Sequence, residues 1–177
     1  MGNSYIKFFV EFIKNPDEFL QVDTESYSNM GIITMGIFIL VDVLYSSIED
    51  LIYQIHLSNI IFNVLSDAVQ NAISLAVLIV AAMSILKKWG LFELTPGNAI
   101  GKYGIALIPS TILKLAAIPF LLVKFNIYTY FSGLAYIALI IGIFYTSLIM
   151  AKKFQLKVAS GIIVVYFIAV RLVGTLL

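Results

Sequence analysis

Cysteine is absent from this 177-residue chain, and histidine and tryptophan occur once each. Disulfides, thiolate metal sites and cysteine nucleophiles are therefore excluded, and His56 alone cannot build a multi-histidine centre. Charge is also scarce. Charged residues make up 12% of the chain, against about 25% in an ordinary soluble domain. They nearly cancel, leaving a net charge of +1, which argues against nucleic acid as a partner. A secretory signal is not expected either, because Glu11, Asp17, Glu18, Asp23 and Glu25 precede the first long apolar run. No cofactor or metal is expected.

Apolar residues are what the chain has in excess: 61% of it is hydrophobic, with a mean hydropathy of +1.01. A soluble core of this length cannot enclose that much apolar surface, so lipid must cover the remainder. A bilayer-spanning helix takes about 20 mainly apolar residues. Five segments qualify, near 30–48, 60–86, 103–123, 127–151 and 158–177. None alternates with the period of a membrane barrel strand, and helices satisfy every backbone group internally, as lipid requires. The expected fold is all-α and integral to the membrane, with about five transmembrane helices in residues 29–177 and an amphipathic interfacial segment in residues 1–28.

That segment contains Tyr5-Ile6-Lys7-Phe8-Phe9-Val10-Glu11-Phe12-Ile13-Lys14. Lys7, Glu11 and Lys14 fall at i, i+4 and i+7, one narrow helical stripe on an otherwise apolar helix too short to span. Asn15-Pro16-Asp17-Glu18 then predicts the start of a second short helix reaching about Val22: an N-cap, a proline at N1 and acids in the first turn.

Orientation follows the bias of Lys and Arg in short loops. With the N-terminus inside, Lys7, Lys14, Lys87, Lys88, Lys102, Lys152, Lys153 and Lys157 are cytoplasmic, while only Lys124 and Arg171 lie toward the outside. The expected orientation has the N-terminus in the cytoplasm and the C-terminus outside. Tyr128, Tyr130, Phe131 and Trp89 suit interfacial anchoring.

Four ionisable side chains interrupt the apolar runs: Asp42, Asp67, Lys114 and Arg171. At 1.5 Å rise per residue they fall at a similar level in the outer half, roughly 9–13 Å from the outer boundary. Charges at such depths generally face the bundle interior or water. In the second span Asn63, Asp67, Gln70, Asn71 and Ser74 recur at helical spacing as a polar stripe. The stripe is expected to face the third span, where Ser110, Thr111 and Lys114 offer counterparts and Pro109 frees a carbonyl. The sharpest expectation is an Asp67–Lys114 contact with Asp42 nearby. A structural polar cluster and a ligand, ion or proton site are both compatible with this pattern.

Other motifs carry less. Gly97-Asn98-Ala99-Ile100-Gly101-Lys102-Tyr103 is one residue short of a phosphate loop and has Tyr where Ser or Thr must bind magnesium. Its glycines are expected to turn the chain into the third span. His56 reads as a solvated loop residue. Ser46, Ser66 and Ser110 have no intramembrane histidine as a base, and a proton-sharing pair of Asp42 and Asp67 lacks the signatures of intramembrane proteases. Ala138 and Gly142 form a small-residue pair suited to close helix contact, within one chain rather than between copies.

Several features together resemble the Yip (Ypt-interacting protein) domain family of small five-helix membrane proteins with a cytoplasmic N-terminus. Asn15-Pro16-Asp17-Glu18-Phe19 is similar to the family's proline-containing helix before the first span. Gly101-Lys102-Tyr103-Gly104 with Ile108-Pro109, and then Ala117-Ile118-Pro119, resembles its basic loop and proline-bearing third helix. Ile141-Gly142-Ile143 and Lys157-Val158-Ala159 resemble its ending. For eukaryotic members the resemblance implies vesicle trafficking with Rab GTPase partners; the N-terminal region of about 29 residues here looks like that of a prokaryotic member, and the location this implies is a bacterial cytoplasmic membrane. The resulting expectation is a non-enzymatic membrane scaffold or partner-binding protein, its partners being the lipid bilayer and other membrane proteins or further copies of itself. The alternative is a small transporter or channel subunit that uses the buried Asp/Lys cluster.

Overall fold

The computed structural model describes residues 2–15, 28–53, 55–88, 95–151 and 154–176. The helix expected to reach Val22, together with Trp89, Lys152 and Lys153, lies outside these residues. Among the described residues there are seven helices and no strand. They are α1 (Gly2–Lys14), α2 (Ser28–Ile52), α3 (Leu57–Lys88), α4 (Pro96–Ala106), α5 (Ile108–Leu122), α6 (Ile127–Met150) and α7 (Gln155–Leu176). Taking α4 and α5 as one interrupted run, five of these helical runs are long and apolar enough to cross a membrane.

The interruption has a local cause. Thr95 caps α4, its side chain accepting from Asn98 N at 3.2 Å, and Pro96 occupies the first turn. The helix turns at Leu107. Two residues on, Pro109 has no N–H for the Ile105 carbonyl. The ladder resumes with Thr111 N donating to Leu107 O at 3.0 Å, and the Thr111 hydroxyl donates to the same carbonyl. The continuous third span expected from about residue 103 thus begins at Pro96 and is jointed in the middle. At the other end, Lys124 takes φ 54° to close the short turn into α6.

The runs close a ring. α2 packs against α3 on one side and against α4 and α5 on the other; α6 packs on α5, α7 on α6, and α3 on α7. Along the chain the order around the ring is first, third, fourth, fifth, second. Inside lies a core of Leu78, Leu86, Tyr103, Leu107, Ile143 and Ile162, each at most 1% exposed.

Toward the Ser28 end the ring is tight because glycines let backbones touch. A Cβ on Gly104 would meet the Gly31 backbone within 2.8 Å, and one on Gly31 would meet Ile100 and Gly101. Gly142 of α6 likewise rests on the Ala106 carbonyl, so this member of the Ala138–Gly142 pair packs within the chain. Gly97 and Gly101, expected to turn the chain into the third span, lie inside α4 instead, and Gly101 and Gly104 are its contact points with Gly31. The Tyr103 hydroxyl bonds to Ser147 Oγ at 2.7 Å, and Ser147 in turn donates to Ile143 O. α1 docks here by Phe8 and Phe12 on Ile105 and Ile108, with Tyr5 bonded to Thr34 at 3.0 Å.

Candidate functional site

In the half of the ring toward Ile52 the packing opens into a cavity of about 510 Å³, within the usual range for small-molecule sites. Every run of the ring contributes to its wall: Phe38 and Asp42 from α2, Gln70 and Asn71 from α3, Ser110 and Lys114 from α5, Ser132, Gly133, Tyr136 and Leu139 from α6, and Tyr166 and Val170 from α7. A hollow of similar size between α2 and α3 is lined throughout by apolar residues such as Ile32, Met35 and Ile79. Size alone does not distinguish the two. Charge does.

The centre of the polar wall is Asp42. One carboxylate oxygen pairs with the Lys114 ammonium; the other accepts from the Asn71 amide at 2.8 Å. Both charged side chains keep about a fifth of their surface, 21% for Asp42 and 22% for Lys114, and both line the cavity. A lone charge at the centre of a membrane helix costs about 2.5–3.5 kcal/mol, so acid and base each stabilise the other's presence there. Lys114 also has a second contact, its ammonium lying 5.1 Å from the centroid of the Tyr45 ring. Such a cation–π contact is worth about 0.5–2 kcal/mol, less than the cost of the bare charge.

Gln70 ties the opposite wall together. Its amide donates to Val170 O of α7 at 3.3 Å, an approach that Gly174 permits, since a Cβ there would come within 2.9 Å of the Gln70 nitrogen. The cavity wall reaches the protein surface at α6. Gly133 is exposed, and a Cβ built on it meets nothing within 4 Å; Tyr136 lines the cavity yet is 53% exposed. These residues sit roughly 9–13 Å along α6 from its start at Ile127, at 1.5 Å per residue.

The predicted cluster is only partly assembled. Asp42, Gln70, Asn71 and Lys114 meet at the cavity. The expected Asp67–Lys114 contact does not form, because Lys114 pairs with Asp42. Ring order explains this: α2 stands between α3 and α5, so the polar stripe of α3 bonds to α2 and α7 and meets Ser110 and Lys114 only across the cavity. Asn63 donates to Asp50 of α2 at 2.8 Å, near the Ile52 end and outside the cavity. Asp67 is half-buried and has no hydrogen bond or ion pair with the described residues. Ser74 is buried, and its hydroxyl finds no partner among the described residues. Arg171 is exposed, and its side chain has no hydrogen bond or ion pair among the described residues.

Sequence reasoning missed Tyr45, Tyr136 and Tyr166. Tyr166, the one hydroxyl in the apolar run from Gly161 to Val170, was a legible signal; the other two read as ordinary aromatics until the ring was known. Among the described residues no three His, Asp or Glu side chains come close enough to hold a metal. Comparisons with family models, curated proteins and solved structures find nothing that matches this chain.

Proposed function

We propose that this chain is a non-enzymatic integral membrane protein that takes a small polar solute or ion into the cavity at the centre of its helix ring, as a transporter or channel subunit. The carrying observation is an ion pair that is built into the wall of a cavity of about 510 Å³ rather than sealed in dry packing. A pair that served only to join α2 to α5 would gain strength from exclusion of water. This one keeps part of both partners open to a space shared by all five runs.

In this reading the lysine bias is taken as positive-inside, with the Ser28 end in the cytoplasm, the cavity in the outer half of the membrane and the C-terminus outside; the Yip resemblance makes that membrane a bacterial cytoplasmic one. α1 then lies in the inner interface. Ile6, Val10 and Ile13 form an exposed apolar strip beside the docked face, and Lys7, Glu11 and Lys14 are exposed opposite it, the two-sided pattern of an interfacial helix.

A second reading keeps the scaffold or partner-binding role that the Yip resemblance implies. One observation favours it: Asp42, Lys114 and Asn71 satisfy one another and need no ligand to do so. Proteoliposomes decide between the two. Loaded with an internal pH dye or offered a panel of labelled small solutes, wild-type vesicles are expected to pass at least one species that Asp42→Asn vesicles do not. Leakage equal to that of protein-free vesicles across the whole panel would leave the scaffold.

A further inference from the structure

We infer that the ligand of this cavity is zwitterionic, a molecule that presents an ammonium and a phosphate or carboxylate and enters by exchanging with the Asp42–Lys114 pair. The inference rests on the solute-binding reading above and adds the ligand's charge class. Asp42 is held by two groups of different kinds. The Asn71 amide fixes one oxygen at 2.8 Å, while the other oxygen faces an ammonium on a flexible four-carbon stem. An incoming ammonium can replace that of Lys114 without moving Asp42. Lys114 has somewhere to go, since its ammonium already lies 5.1 Å from the Tyr45 ring.

That retreat is not sufficient by itself. The ring contact is weaker than the penalty for a bare membrane charge, so a simple cation displacing Lys114 would leave an uncompensated ammonium behind. A simple anion on Lys114 would strand Asp42 in the same way. A ligand with both charges leaves neither alone: its ammonium takes Asp42, its anion takes Lys114, and the cavity stays neutral before and after. Ser110 on the same wall adds a hydroxyl donor for one of the anion's remaining oxygens. Phe38, Tyr136 and Tyr166 receive the uncharged part. The gap at Gly133, set roughly 9 Å along α6, offers entry from the flank of the ring. The same charges can therefore arrive on a lipid headgroup or on a free solute.

The test uses the full chain in a non-ionic detergent, with binding followed by calorimetry. Glycerophosphoethanolamine serves as the free zwitterion, short-chain phosphatidylethanolamine as the lipid carrying the same head, and ethylammonium and dimethyl phosphate as the single-charge probes. Wild type is expected to bind a zwitterion at least about tenfold more tightly than either single-charge probe, with Asp42→Asn and Lys114→Gln each abolishing that preference. Gly133→Trp keeps both charges, meets no neighbouring atom where its Cβ begins, and is expected to weaken zwitterion binding by narrowing the gap; it carries the test if the charge variants do not fold. Binding of the lipid without the free head assigns a lipid ligand, and equal binding of the two assigns a solute; both outcomes support the inference. Ethylammonium or dimethyl phosphate binding as tightly as the zwitterions overturns the charge class and leaves the solute cavity standing. Failure of every probe on wild type overturns the inference, while the vesicle assay above still decides the solute-binding reading.

Discussion

The two halves of the ring are built on opposite terms. Toward Ser28, backbones touch at Gly31 and Gly104 and at Gly142 and Ala106, Tyr103 is fully buried, and α1 covers Ile105 and Ile108. Toward Ile52, the same helices part around about 510 Å³ of space edged by an acid, a base and two amides. Close helix contact in a membrane rests on dispersion between small residues, because lipid tails remove the hydrophobic drive for association. A cavity forfeits those contacts along its whole lining. One half therefore carries the stability that the other gives up, and the joint at Leu107–Pro109 lies between them.

The comparison breaks most completely at the glycines. Gly104→Val sets a branched side chain against the Gly31 backbone, which cannot rotate away. Overpacking costs about 1–3 kcal/mol where side chains can yield; here the expected loss is at the upper end, about 3 kcal/mol, read as a collapse of the thermal unfolding midpoint in detergent. Gly133→Val, in the open half, is expected to leave that midpoint nearly unchanged, because nothing lies within 4 Å of its Cβ.

Next in size is the ion pair. Removing one partner of a fully buried pair costs about 3–5 kcal/mol, but both members here are about a fifth exposed, so Lys114→Gln is expected to cost nearer 2 kcal/mol by that rule. Exchanging the two, Asp42→Lys with Lys114→Asp, should recover more than half of the loss. Unrescued damage in the exchanged protein would show that the contact adds nothing to the fold. Smaller again is Tyr103→Phe. Ser147 keeps its bond to Ile143 O, so the expected change is about 0.6–1 kcal/mol, measured in the same unfolding experiment.

How far the sequence announces this follows from what each feature depends on. The five runs are legible because their apolar length answers to the bilayer, not to neighbouring helices. Asp42 and Lys114 are legible as buried charges for the same reason, and their shared depth follows from rise per residue alone. Which acid takes the lysine is not legible. Asp42 and Asp67 lie at matching depths, and only the ring order, with α2 between α3 and α5, separates them. Gly31 and Gly104 are seventy-three positions apart, and nothing local marks one as the other's contact. The cavity is still less visible, since a void is defined by side chains that fail to meet.

The smallest expected effect belongs to Asp67, and it is the sharpest test of that distinction. Depth arithmetic makes Asp67 the equal of Asp42, whereas the ring leaves it half-buried with no hydrogen bond or ion pair among the described residues. If intramembrane charge mattered for its own sake, neutralising either acid would change stability and binding alike. If the partner matters, Asp42→Asn leaves Lys114 unpaired, while Asp67→Asn removes a charge that nothing balances. The second change is then expected to lie within about 0.5 kcal/mol of wild type, or slightly above it, with zwitterion binding intact. Arg171→Gln should behave in the same way, because its side chain is exposed. A loss at Asp67 as large as the loss at Asp42 would mean that the acid of α3 acts on the cavity one turn beyond Asn71, and that the open half of the ring extends farther toward Ile52 than its lining residues indicate.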